Sequence, residues 1–281
     1  MDVDSTDVGR SPSPAGAREV TPVLTEVRDG VLIITLNRPG KRNAMNAEMA
    51  GLIGDALESA HVDPAIRVVV ITAAGDTAFC AGGDLVEMSS GRALEPSDQL
   101  RRSWGFGGLC RHAIDKPVIA AVNGLAVGGG AEMVLACDLV VACEHVEFSV
   151  PEVSNGFLAA AGGLVRLPAW LPRPIAMEIV LLGRRFTAVE AQSWGLVNRV
   201  VPKGAALECA LELATLLSGH APLAVQATKR AVAGITGREF VTEEAAWSRT
   251  GAEAEVIRRT EDAGEGPLAF AEKRSPVWRG R

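Results

Sequence analysis

The stretch from Pro117 to Ala142, PVIAAVNGLAVGGGAEMVLACDLVVA, constrains the fold of this chain more than any other. Its first part, Val118–Val122, is a continuous apolar run suited to a strand buried on both faces. A glycine cluster ends that run and opens a helical pattern from about Gly129 to Ala136, after which a second strand runs from about Asp138 to Ala142. Strand, glycine-rich turn, helix and strand in this order predict a parallel sheet covered by helices. The window Val118–Cys143 is apolar enough to raise a membrane helix, with Gly124-x-x-x-Gly128 as its packing motif. Asn123, Glu132 and Asp138 inside the window argue against it, because a carboxylate at mid-bilayer is costly.

Related layouts flank this segment. Val23–Val27, the pair Asp29-Gly30 and Val31–Leu36 carry the signature of a type I′ hairpin. Asn46 can cap a helix in which Met49, Leu52, Ile53, Ala56, Leu57 and Ala60 recur at helical spacing, and the β-branched run at 67–74 comes next as a buried strand. A third unit runs from Phe148 to a helix ending near Trp170. Thr187 and Glu190 form a capping box opening a helix that Gly195 closes, ahead of a strand at Leu196–Val201. After Pro202 the pattern is helical only, over 203–218, 221–236 and 239–261. Three regions result: a disordered arm at 1–20 with Ser-Pro repeats and no secretory signal, an α/β body at 21–202, and a helical region at 203–281. Residues 89–105, mixed in charge between apolar blocks, read as a mobile loop or helix near a site.

Composition narrows the chemistry. With 30 glycines and 48% hydrophobic but only 4% aromatic residues, the core is built from small aliphatic side chains, as in layered α/β packing. No tyrosine is present, which excludes a tyrosyl acid or nucleophile. His61, His112, His145 and His220 lie far apart, without the spacing that sets two imidazoles on one metal, and read as structural or exposed. Five cysteines without a Cys-x-x-Cys pair read as buried reduced thiols of a cytoplasmic protein. The net charge of −6 argues against a nucleic-acid partner, and any anionic ligand then needs a local cluster of cations.

The chemistry-bearing residues sit where strands end. A glycine cluster opening a helix at Gly128–Gly130 presents free N–H groups, and the helix dipole adds positive potential there. Glu132 lies in the first helical turn and suits the role of a base. A second glycine turn, Phe79-Cys-Ala-Gly-Gly-Asp84, comes after another buried strand, so two N–H donors from two turns can serve one developing oxyanion. Pro151-Glu152 supplies a second carboxylate at a strand end, and two glutamates near one polarised carbonyl can move one proton each. Blander readings stand beside these: close packing for the glycines, a solvated loop carboxylate for Glu152, and a turn or cap for Asp84. Cys137 and Asp138 read as packing and turn residues, Lys229 and Arg230 as a solvated helix face, and Trp194 and Trp247 as packing or interface residues.

Five segments in order, NRPGKRNAMN (37–46), AFCAGGDLVEM (78–88), residues 116–142, VPEVSNGFLAAAGG (150–163) and AQSWGLVNRVV (191–201), make the chain similar to the crotonase, or enoyl-CoA hydratase/isomerase, superfamily over about residues 22–281. The resemblance implies an α/β spiral of repeated ββα units, ClpP-like, with a C-terminal helical region. It implies that the N–H groups of Gly83 and Gly129 hold the acyl-CoA carbonyl, that Glu132 activates water at C3, and that Glu152 supplies the proton to C2 in syn hydration of a trans-2-enoyl-CoA. No metal or redox cofactor is implied, since coenzyme A enters as part of the substrate. Lys41 and Arg42 lie in the loop that approaches CoA in relatives, and Ala44, Ala81, Asp84 and Leu85 lie in the segments that contact adenine or pantetheine. Phe270 and Lys273 match residues that reach the nucleotide of a neighbouring subunit, and a homo-oligomer, a trimer or a dimer of trimers, is expected. Two departures stand out. GFLAAAGG (156–163) replaces the Gly-x-x-Pro-x-x-Gly-Gly stretch of many hydratases, and Gly83 stands where relatives often carry alanine. An isomerase, a specialised dehydratase, an acyl-CoA hydrolase and a non-catalytic acyl-CoA-binding protein are the alternatives.

Overall fold

The computed structural model describes residues 21–281, so the arm expected at 1–20 lies outside the described residues. The chain opens with the hairpin β1 (Val23–Arg28) and β2 (Val31–Leu36), whose antiparallel register is set by Asp29 and Gly30 at φ 51° and 77°. Positive φ at both central residues is what a type I′ turn requires. Asn46 accepts from the Met49 N–H and starts α1 (Ala47–Val62). The spiral then repeats. β3 (Val68–Ala73) leads to the short β4 (Ala78–Cys80) and α2 (Leu85–Ser89), with α3 (Gln99–Ser103) beyond. β5 (Val118–Val122) leads to β6 (Leu125–Val127) and α4 (Gly129–Leu135). β7 (Leu139–Cys143) leads to β8 (Glu147–Ser149), α5 (Gly163–Trp170) and α6 (Arg173–Leu182). After β9 (Phe186–Thr187), α7 (Ala188–Ser193) opens with the expected capping box, and β10 (Arg199–Val201) closes the body.

Long and short strands separate into two sheets. The first has the order β1-β2-β3-β5-β7-β10 and is parallel beyond the hairpin; the second has the order β4-β6-β8-β9, with only β9 antiparallel. Every residue of β3 and β5 is buried, as a sheet covered on both faces demands. The helix α8 (Ala206–Ser218) packs on β3, β5 and β7 through Cys209, Ala210 and Ala214. The chain ends with α9 (Pro222–Ala233), the two-residue strands β11 (Ile235–Thr236) and β12 (Glu239–Phe240), α10 (Glu244–Arg258) and α11 (Glu261–Glu272).

Three expectations need correction. The C-terminal region is not purely helical, because Gly234 at φ 62° ends α9 and leads into the β11–β12 hairpin. Lys229 and Arg230 are not a solvated face. Lys229 Nζ donates to the Lys116 carbonyl and to Asp138 Oδ2, both at 2.7–2.8 Å, and Arg230 pairs with Asp115 at 2.6 Å. These bonds fasten α9 to the start of β5. The glycine-rich turn after Val122 contains the strand β6, too short for a periodicity of its own. No helix among the described residues is long and apolar enough to cross a membrane.

Several glycines mark backbone crossings. At Gly108 φ is 66°, and a Cβ would overlap the Ala50 carbonyl of α1. Gly264 on α11 has open space where a Cβ would stand. Gly108→Ala is therefore expected to lower stability by about 2–3 kcal/mol through backbone strain and overpacking. Gly264→Ala should be neutral or raise stability by up to about 1 kcal/mol. Thermal unfolding of the two variants beside the parent chain measures the contrast.

Candidate active site

Two backbone turns build the centre of the site. Past β4, Gly82 accepts from the Met45 N–H at 2.8 Å and Asp84 N donates to the Met45 carbonyl at 2.9 Å, which pins Gly83 between them. Gly82 has φ 88°, and a Cβ there would lie 3.0 Å from the Val127 carbonyl and 3.5 Å from the Gly129 nitrogen. The turn after β4 thus rests directly on the turn after β6. A Cβ at Gly130 would overlap the Cys80 carbonyl, so α4 can start this close to β4 only with glycine there. The N–H groups of Gly83 and Gly129 find no protein acceptor among the described residues. Leu94 overhangs the first and the Phe106 ring the second, each where a side chain on the glycine would otherwise stand.

Two carboxylates meet beyond these donors. Glu132 sits in the first turn of α4, only 2% exposed, and Oε1 accepts from the Gly163 N–H at 2.8 Å. Glu152 opens the short 3-10 turn Glu152–Asn155. Its Oε1 lies 2.7 Å from where a Cβ on Gly128 would be, and its Oε2 is buried without a hydrogen-bond partner. Burial raises both carboxyl groups above the ordinary carboxylate range, and for Glu132 the neighbouring Glu152 charge raises it further. The N–H groups of Gly163 and Ala161 and the charge of Arg166 partly offset this for Glu132. Two adjacent carboxyls of this kind lose their protons in two linked steps that belong to the pair.

A cavity of about 650 Å³ opens onto this centre, the size of a small-ligand cleft. Of the residues singled out in the sequence, Gly83, Gly129, Glu132, Glu152, Ala81 and Leu85 line it. Lys41, Arg42, Ala44, Asp84, Phe270 and Lys273 do not. Lys41 and Arg42 are exposed on a 3-10 turn, Arg42 closing it at φ 51°, while the Ala44 carbonyl is taken by Arg38 Nη1 at 2.7 Å. Asp84 is a cap, as its turn reading has it: Oδ1 accepts from Val86 and Glu87 of α2, and Oδ2 pairs with Arg38 at 3.0 Å. Phe270 and Lys273 are exposed at the end of α11.

The structure adds a wall that the sequence reading did not assign. Trp247, Gly251, Ala254 and Arg258 of α10 line the cavity together with Phe106 and Arg111. Trp247 therefore does more than pack. Buried Arg166 of α5 donates to both oxygens of Glu243 at 3.0 Å and to the Cys110 carbonyl at 2.9 Å, and Glu243 also accepts from the Trp247 indole at 3.0 Å. The recurrence of Trp247, Gly251, Ala254 and Arg258 at helical spacing was the available signal, but the partner of that face was not visible in the sequence. Residues 89–105 line the same cavity through Leu94, Glu95 and Arg102.

Comparison with known proteins gives the same family. A family profile described as Enoyl-CoA hydratase/isomerase matches residues 26–281. A carnitinyl-CoA dehydratase of Salmonella enteritidis PT4 (strain P125109) is 44% identical over 254 residues, 89% of this chain and 95% of that protein. The crystal structure of a carnitinyl-CoA hydratase from Mycobacterium avium superposes with a TM-score of 0.90 at 49% identity, covering 93% of this chain and 99% of that one. An enoyl-CoA hydratase structure from Mycobacterium tuberculosis H37Rv gives 0.70 at 38% identity, covering 93% of this chain and all (100%) of that one. With its spiral of strand pairs and helices, the chain belongs to the crotonase, or enoyl-CoA hydratase/isomerase, family.

Proposed function

We propose that this protein is an enoyl-CoA hydratase, adding water syn across a trans-2-enoyl-CoA to give a 3-hydroxyacyl-CoA. The observation that carries the reading is the convergence of two buried carboxyls, both shifted upward, on two unengaged N–H donors in one cavity. The thioester oxygen sits between Gly83 N–H and Gly129 N–H, where enolate charge develops. Ionised Glu132, held by the Gly163 N–H, takes a proton from water as its oxygen bonds to C3. Protonated Glu152 gives its proton to C2, and one proton then returns from Glu132 to Glu152. The pair keeps one proton throughout. Coenzyme A enters as part of the substrate, and this chemistry needs no metal or redox cofactor.

In this reading Lys41, Arg42 and Lys273 supply cations for the CoA phosphates, Phe270 packs on the nucleotide, and Ala44, Ala81, Asp84 and Leu85 belong to the segments along adenine and pantetheine. Lys273 and Phe270 act across an interface of a homo-oligomer, a trimer or a dimer of trimers, in the cytoplasm. Exposed Leu181, Leu182 and Val189 on neighbouring elements support such burial between subunits. A second reading is favoured by the relatives named carnitinyl-CoA dehydratase: the same residues run backwards would remove water from a specialised 3-hydroxyacyl-CoA.

Hydration of crotonyl-CoA, monitored by loss of enoyl absorbance, tests the proposal. Glu132→Gln and Glu152→Gln should each lower kcat by about 10²–10⁴-fold, the range of general acid–base catalysis, with CoA binding retained. Wild type and variants equally inert on every enoyl-CoA would leave a binding protein. The rate should show a bell-shaped pH profile, falling in acid as the Glu132–Glu152 pair takes up a second proton and in base as it loses its last one. Stability carries the same signature. Because both folded-state values lie above the ordinary 4.5, the native state binds more protons than the unfolded one, and stability falls as pH rises from 4.5 through the raised values. Unfolding of Glu152→Gln across pH should show a shallower decline.

A further inference from the structure

The inner wall of the cavity is charged in a way that bears on the acyl group, and the inference here rests on the hydratase reading. Trp247 stands beside the catalytic pair: a Cβ on Gly162 would lie 3.4 Å from the far edge of its indole, and the next residue, Gly163, holds Glu132. Trp247, Ala160, Ala161 and Phe157 line the cavity on this side of Glu132, and an acyl chain whose C3 faces Glu132 would run along them. The guanidinium of Arg111 lies 5.0 Å from the centre of the Trp247 ring, and that of Arg166 lies 5.6 Å from it. An aromatic ring is the usual partner of a quaternary ammonium group. Here two cations of the protein already use it.

The carboxylates nearby are committed as well. Glu243 is bound by Arg166 and the indole, Glu244 lies 3.7 Å from Arg111, and Glu255 holds Arg258 and Arg259. Glu132 and Glu152 share one proton in the hydratase reading, and the Gly163 N–H holds Glu132. Among the described lining residues that leaves Glu95, an exposed side chain next to the Leu94 that overhangs Gly83, on the carbonyl side of the site. Arg102, Arg111 and Arg258 also line the cavity.

We propose that Arg111, stacked with Arg166 on Trp247, makes the acyl end of this site select against a cationic acyl chain, so that the substrate is an enoyl-CoA with an uncharged tail. Arg111 is thereby a specificity-determining residue. The charges of CoA are common to all thioesters and cancel in a comparison between them.

The test compares kcat/KM for crotonyl-CoA and for its 4-trimethylammonio derivative, using the full chain. Calorimetric binding of the saturated pair, butyryl-CoA and 4-trimethylammoniobutyryl-CoA, runs alongside. The uncharged member should be favoured by about tenfold or more in both measurements, since like charges in a partly desolvated site repel strongly. In Arg111→Gln that ratio should fall towards one, whereas Glu95→Gln should leave it as in the parent. Equal or better use of the cationic thioesters overturns the proposal, and loss of that preference in Glu95→Gln would assign the recognition to Glu95. If no thioester is hydrated but the binding ratio holds, the hydratase reading falls and the charge selection stands.

Discussion

The contact on which the site depends is backbone against backbone, between the turn that ends β4 and the turn that ends β6. Gly82 fits under the Val127 carbonyl, and Gly130 fits over the Cys80 carbonyl, because neither has a side chain. This approach puts the Gly83 and Gly129 N–H groups in one place with their acceptors left open. The Gly129 donor also carries the dipole of α4, whose first residue it is. A side chain at Gly82 or Gly130 would separate the turns. The first sheet, with its fully buried β3 and β5, is the rigid support that keeps two such short strands in register.

The same absence of side chains admits the carboxylates. Glu152 occupies the volume that a Cβ on Gly128 would fill, and Glu132 lies 3.2 Å from the corresponding volume at Gly163. Glycine thus makes room for two acids that burial would otherwise expel. Their desolvation is only partly offset, at Glu132 by the N–H groups of Gly163 and Ala161 and the charge of Arg166, and by no hydrogen bond at Glu152 Oε2. An unsatisfied buried oxygen destabilises a fold. Here that cost is concentrated at the two carboxyls whose proton affinity burial raises, the kind of perturbation found at functional sites.

Much of this was legible in the sequence because it is local. The hairpin at Asp29-Gly30, the cap at Asn46, the Thr187–Glu190 capping box and the buried runs at β3 and β5 are set by residues within a few positions of one another. The spacing of Gly129 and Glu132 within one helical turn was likewise readable. The features that escaped are tertiary. Lys229 resembles any lysine on a polar helix face, and only the packing of α9 beside β5 turns it towards Asp138 and the Lys116 carbonyl. Trp247 looks like a packing residue until α10 is laid across the cavity by the Arg166–Glu243 pair. The strands β11 and β12 have two residues each, below the length at which alternation can be recognised.

The charge balance has its origin in the same geometry. A chain with a net charge of −6 offers an anionic ligand little long-range attraction, so binding must rely on cations placed close to it. The cavity carries three arginines against three glutamates, and two of those glutamates are held towards neutrality by burial. Among the lining side chains alone the sign is therefore opposite to the global one, with Glu244 and Glu255 pairing Arg111 and Arg258 from outside the lining. Arg166 extends this inward, since its ion pair with Glu243 orders the Trp247 wall while its charge still moderates Glu132. One buried cation thus links the position of the wall to the proton affinity of the acid it faces. A change in the α5–α10 junction should then shift the Trp247 wall and the proton affinity of Glu132 together, although Arg166 itself does not line the cavity.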